Sequence, residues 1–85
     1  MQTIKFTITE PEGFHARPAG MFVKEVKKYR CKVMVSKNNR AVEANKMFGL
    51  MGLGIKGGET VTITAEGEQE AEAAAALQKF MKENL

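Results

Sequence analysis

Side chains able to do covalent chemistry at neutral pH are scarce in this chain. There is one histidine, His15, and one cysteine, Cys31. His15 lies in Gly13-Phe14-His15-Ala16-Arg17-Pro18, with a guanidinium two residues on and a proline directly after it. Proline keeps the residue before it out of the helical region but suits a helix's first turn. The stretch therefore predicts a turn permitted by Gly13, His15 at or beside an N-cap, and a helix opening near Arg17 or Pro18. Free N–H groups of a first helical turn, together with a guanidinium, make an anion site matched to phosphate. A neutral imidazole beside such a site is a nucleophile. The chemistry this points to is acceptance and release of a phosphoryl group on His15. From residue types alone, a plain cap or surface role for His15 stays open.

The rest of the chain must position that stretch. Thr3 to Thr9 alternates, with Ile4, Phe6 and Ile8 on one side and Thr3, Lys5, Thr7 and Thr9 on the other, as in a half-buried strand. Glu10-Pro11-Glu12-Gly13 ends it. Pro18 to Tyr29 reads as a helix whose Ala19, Phe22, Val23 and Val26 form a core stripe. Gly20, Lys24 and Lys27 repeat that spacing on another face. Both a solvated face and a partner-docking face fit the two lysines. Gly20, a poor helix residue one turn from His15, leaves room for a partner or is simply tolerated.

Cys31 to Ser36 alternates again, with Cys31, Val33 and Val35 inward. No neighbouring base argues for a reactive thiol, so Cys31 reads as a small buried hydrophobe. Lys37-Asn38-Asn39-Arg40 is a turn, and Asn38-Asn39 suits a two-residue hairpin loop because asparagine tolerates positive φ. Arg40 to Ala44 is the return strand, with Ala41 or Val42 reaching the core. Glu59 to Ala65 alternates strictly, with Val61, Ile63 and Ala65 inward. Glu68 to Asn84 is a helix with acids at its start, Lys79 and Lys82 near its end, and an apolar stripe of Ala73, Ala74, Leu77, Phe80 and Met81.

Asn45 to Gly54 packs Met47, Phe48, Leu50, Met51 and Leu53 into one short segment. A helix of about two turns buries only one side of that set. Leu50 and Leu53, with Ile55, are the better core candidates, which leaves Met47, Phe48 and Met51 partly exposed. Such a cluster fits a docking surface, since methionine adapts to several partners. Completion of the core is the other reading.

The chain has 85 residues and a formal net charge of +3. That length predicts one domain over residues 1–85 with one core. The mild positive charge suits acidic proteins or an anionic ligand. Without tryptophan or interleaved basic and aromatic residues, no nucleic-acid partner is expected. One cysteine allows no internal disulfide, and no Cys/His cluster is spaced for a metal, so neither metal nor cofactor is expected. No leader and no apolar run long enough to span a membrane is visible. The expectation is a cytoplasmic monomer without membrane insertion. The predicted order is β-α-β-β-α-β-α, an α+β two-layer sandwich.

Gly13-Phe14-His15-Ala16-Arg17-Pro18-Ala19 resembles the active-site signature of HPr, the histidine-containing phosphocarrier family of the sugar phosphotransferase system. Met47-Phe48-Gly49-Leu50-Met51-Gly52-Leu53-Gly54-Ile55 resembles that family's short-helix region in register, and Ala65-Glu66-Gly67 its turn. The resemblance implies an open-faced sandwich, with a four-stranded antiparallel sheet and three helices on one face. It implies a stoichiometric carrier rather than an enzyme. Phosphorylated Enzyme I would load His15 at Nδ1, and enzyme IIA domains would unload it. Arg17 and the backbone N–H of Ala16 would hold phosphate oxygens. Gly20, Lys24, Lys27, Lys46, Met47, Phe48 and Met51 would meet the partners. Two departures stand out. Lys46 occupies the position of the regulatory serine found in many Gram-positive members, so seryl phosphorylation is in doubt; Asn45 is then the candidate helix cap. Phe14 stands where an aliphatic residue is more familiar, a difference of packing. A docking module that keeps this fold without a relay is the alternative.

Overall fold

Alternation in four segments decides which side of the sheet is covered. The computed structural model describes all residues, 1–85. Strand β1 (Gln2–Thr7) is followed by helix α1 (Ala16–Val26), strands β2 (Cys31–Lys37) and β3 (Arg40–Glu43), and the short helix α2 (Met47–Gly52). Strand β4 (Thr60–Gly67) and helix α3 (Glu70–Asn84) complete the chain in the expected order. The sheet is antiparallel throughout, in the order β1-β4-β2-β3. Val33, Val35, Val61, Ile63 and Ala65 are buried on its inner face, whereas Thr3, Lys5, Thr7, Lys32 and Thr60 stay exposed on the other. Helix α3 lies on β1, β4 and β2, α1 rests against α3 and α2, and α2 covers β3. One cluster of 20 buried residues joins α1, β2, α2, β4 and α3, and Ile4 and Phe6 of β1 and Val42 of β3 pack against it.

Three aromatic rings run through that core edge to face. Phe22 of α1 lies 5.1 Å from Phe14 and 5.5 Å from Phe80 of α3, centroid to centroid. Such pairs add to the stabilisation from burial itself. Phe14 precedes His15 directly, so the packing that seats its ring also seats the loop.

The hairpin between β2 and β3 follows the sequence reading. Asn38 and Asn39 have φ of 49° and 67°, and Lys37 pairs with Arg40. Between them, Ala41 is exposed and Val42 half-buried; Ala44, just past the strand, is fully buried. Cys31 is half-buried against the core. Burial and then the nearby Glu70 charge push its thiol above the ordinary value, which disfavours the reactive thiolate.

Several boundaries differ from expectation. β1 stops at Thr7 because Thr9 N–H, Thr9 Oγ1 (2.8 Å) and Glu10 N–H (2.7 Å) all donate to the Leu85 carbonyl. α1 begins at Ala16 and ends at Val26 instead of Tyr29, since Lys28 and Tyr29 N–H groups bond three residues back, to Glu25 and Val26. Ala65-Glu66-Gly67 is strand: Glu66 pairs with Lys32 and Gly67 with Cys31. α3 starts at Glu70 with Gln69 as its N-cap. Asn45 does not cap α2, whose N-cap residue is Lys46, with no side-chain cap bond.

Lys37, read from sequence as a turn residue, ties the loops together. Its Nζ donates to the Leu53 and Gly54 carbonyls at 3.3 and 2.9 Å and to Glu59 Oε1 at 2.9 Å. Cations at the end of a helix satisfy its last carbonyls in this way. The Lys37 bond first, then the Lys56 N–H, hold the Glu59 carboxyl below its ordinary value of 4.5.

Two outcomes follow for stability. Phe14→Leu should cost about 1–2 kcal/mol and Phe14→Ala about 3–5 kcal/mol in denaturant melts, the difference being the unfilled ring volume. A carboxyl whose pKa is depressed on folding adds stability that is whole above its unfolded value and lost as pH falls through the folded one. The thermal midpoint should thus fall on acidification below about 4.5, and Glu59→Gln should lack that part of the fall.

Candidate functional site

Gly13 makes the loop that presents His15. Its φ of +61° is left-handed, and a Cβ there would overlap the Ile55 carbonyl oxygen. No other residue combines that conformation with so close an approach. The same Ile55 oxygen accepts the Phe14 N–H at 3.2 Å, and the Gly13 N–H donates to the Glu10 carbonyl at 3.0 Å. With Phe14 buried, the chain leaves the core at His15.

His15 is the N-cap residue of α1, with extended backbone (φ −79°, ψ −179°). Its side chain makes no cap hydrogen bond and is 40% exposed. The plain-cap alternative therefore does not describe it: the imidazole makes no cap bond. Of the first-turn donors, Pro18 has none. The N–H groups of Ala16 and Arg17 make no hydrogen bond within the protein, and Ala19 N–H closes the turn on the His15 carbonyl at 3.0 Å. Arg17 is exposed and in no ion pair.

His15 and Arg17 line one open hollow of about 350 Å³ together with Glu10, Pro18, Met21, Glu83 and Asn84. Glu10, Met21, Glu83 and Asn84 were not singled out from sequence. Glu83 and Asn84 reach the hollow because the Leu85 carbonyl is tied to Thr9 and Glu10, which brings the end of α3 beside the exit from β1. No linear spacing signals that closure. The hollow thus sets the Arg17 guanidinium against the Glu10 and Glu83 carboxylates, beside a helix start with two free N–H groups. An anion is favoured near the guanidinium and the helix start and disfavoured toward the two carboxylates.

The expected partner-facing residues lie outside this hollow. Lys24 and Lys27 are exposed on α1, and Lys46 is exposed at the start of α2. Phe48 is 86% exposed and Met51 partly so, whereas Met47 is half-buried against the core. The reading of Phe48 as core filler is therefore overturned. Gly20 faces α2: a Cβ there would sit 3.9 Å from Met47 Sδ, an ordinary contact.

The family model described as "PTS HPr component phosphorylation site" matches residues 2–83. The phosphocarrier protein HPr of Buchnera aphidicola is 41% identical over 76 residues, covering 89% of each chain. The HPr-like protein Crh of Halalkalibacterium halodurans is 39% identical over 70 residues, covering 82% of this chain and 83% of its own. The solved structure of HPr-C-His from Thermoanaerobacter tengcongensis superposes with a TM-score of 0.92 at 36% identity, covering 96% of this chain and 92% of that one.

Because the space beside Gly20 accepts a methyl group, Gly20→Ala should stabilise the protein by about 0.5–1 kcal/mol, measured by denaturant melts.

Proposed function

This chain belongs to the HPr family of the phosphotransferase system, and from that premise we propose that it accepts a phosphoryl group on His15 from phosphorylated Enzyme I and passes it to enzyme IIA domains. The observation that carries the reading is the uncapped imidazole, sharing one hollow with an unpaired guanidinium at the mouth of α1. In the loading step the Nδ1 lone pair of His15 forms a bond to phosphorus. The donor's own N–P bond breaks, and its electron pair returns to the donor nitrogen. Arg17 and the N–H groups of Ala16 and Arg17 offset the charge on the transferring oxygens. Unloading reverses the same step onto the next histidine. The chain acts as a stoichiometric carrier, one His15 handing over one phosphoryl group.

Partner recognition is assigned to Gly20, Lys24, Lys27, Lys46, Met47, Phe48 and Met51. An aromatic ring this exposed beside lysines fits a partner with an apolar pocket and an acidic rim. Lys46 has no hydroxyl to phosphorylate, so it serves this surface by charge. The second reading, a docking module without a relay, is favoured by the likeness to Crh. Labelling separates the two. With Enzyme I and phosphoenolpyruvate, the carrier takes up acid-labile, base-stable label, and the module takes up none.

In that assay His15→Ala should fold and carry no label. Arg17→Ala should slow uptake on the order of a hundredfold, the usual effect of losing one donor to transition-state charge. Phe48→Ala should weaken Enzyme I binding about tenfold while stability moves by less than about 0.5 kcal/mol. Loss of folding in Phe48→Ala would count against the docking role.

A further inference from the structure

Glu10 lines the hollow but has no part in the scheme above, although both its backbone and its carboxylate are tied down. Glu10 donates its N–H to the Leu85 carbonyl at 2.7 Å and accepts the Gly13 N–H at 3.0 Å. Its Oε2 accepts the Glu12 N–H at 2.6 Å. The carboxylate is thus set in place instead of sweeping through solvent. That same oxygen lies 4.0 Å from His15 Nε2. The distance is an ion-pair distance, and a small side-chain rotation brings it within hydrogen-bond reach. The other charged groups facing the hollow are Arg17 from α1 and Glu83 from α3. Arg17 cannot accept a proton, and Glu83 is not within ion-pair range of the ring.

We propose that Glu10 is a positioning residue that holds the ring proton of His15 on Nε2, so that Nδ1 keeps its lone pair for the phosphoryl group. This rests on the relay reading. A neutral imidazole has one proton for two nitrogens, and the partner of one nitrogen decides the state of the other. With the proton on Nε2, the Nδ1 lone pair makes the new N–P bond while the donor's N–P bond breaks. The ring is left with a proton on Nε2, phosphoryl on Nδ1 and a positive charge that the Glu10 carboxylate offsets. Unloading returns the electron pair to Nδ1. No proton joins or leaves the ring in either direction. With the proton on Nδ1 instead, the attacking nitrogen would be Nε2. A phosphoryl group arriving there would meet the Glu10 carboxylate, a like charge at close range. The carboxylate therefore also selects which nitrogen is loaded.

The test is long-range ¹H–¹⁵N correlation on the ¹⁵N-labelled full chain, at a pH where the ring is neutral. It reports which nitrogen carries the proton. Glu10→Gln keeps the side-chain length and an acceptor for the Glu12 N–H but removes the charge. The ratio of Nε2–H to Nδ1–H should fall about threefold, the size of a charge-assisted bond replaced by a neutral one at a half-exposed site. Phosphoryl uptake should slow by a similar factor, with the half-saturating Enzyme I concentration unchanged. An unchanged ratio overturns the proposal, and so does slower uptake without a change in ratio. A fall in Glu83→Gln but not in Glu10→Gln would overturn it as well. The spectra need no partner, so a wild-type chain that takes up no phosphoryl group would count against the relay alone.

Discussion

The carbonyl oxygen of Ile55 is the fixed point on which the site depends. It receives the Phe14 N–H and comes so close to Gly13 that no side chain fits there. On one side of this contact lies the end of the α2 segment, on the other the loop that carries His15. Phe14 adds the second anchor by joining the ring stack with Phe22 and, through it, Phe80. A backbone bond and a buried ring together leave His15 little choice of where to emerge. Rigid support for one exposed reactive side chain is what lets a domain this small present chemistry at its surface.

The charges around His15 oppose one another. A cationic pocket alone would retain phosphate; a purely acidic one would refuse it. In the proposed relay, Arg17 and the two free N–H groups of α1 would attract the group, whereas Glu10 and Glu83 would limit how tightly it is held. A carrier gains nothing from a deep binding minimum, because the same bond must break at the next partner. The hollow is open, and the ring is exposed enough for a second protein to reach it directly.

The ties at the molecule's periphery serve the same end. The Leu85 carbonyl gathers donors from Thr9 and Glu10, and Lys37 gathers acceptors from Leu53, Gly54 and Glu59. Each uses backbone groups that would otherwise lie unpaired at an element's end. Each also draws together segments far apart in sequence: the exit from β1 to the end of α3, and the hairpin to the loop before β4.

Local pattern alone determined much of this protein. Period-two alternation marked the inner faces of the strands, the Asn38-Asn39 pair marked the hairpin, and the stripes of α1 and α3 named their buried residues, because these signals act within a few neighbours. Gly13, His15, Arg17 and Pro18 were legible for the same reason: a glycine turn and a proline-led helix start are local events. Tertiary structure alone decided where β1 stops, that Ala65-Glu66-Gly67 pairs as strand, and that Lys46 and not Asn45 opens α2. It alone brought Glu83 into the hollow beside the imidazole, since that proximity is made by a carbonyl at residue 85 meeting N–H groups at residues 9 and 10. A contact between the two ends of a chain leaves no period, spacing or composition to read, and it exists only once the sheet and helices have packed.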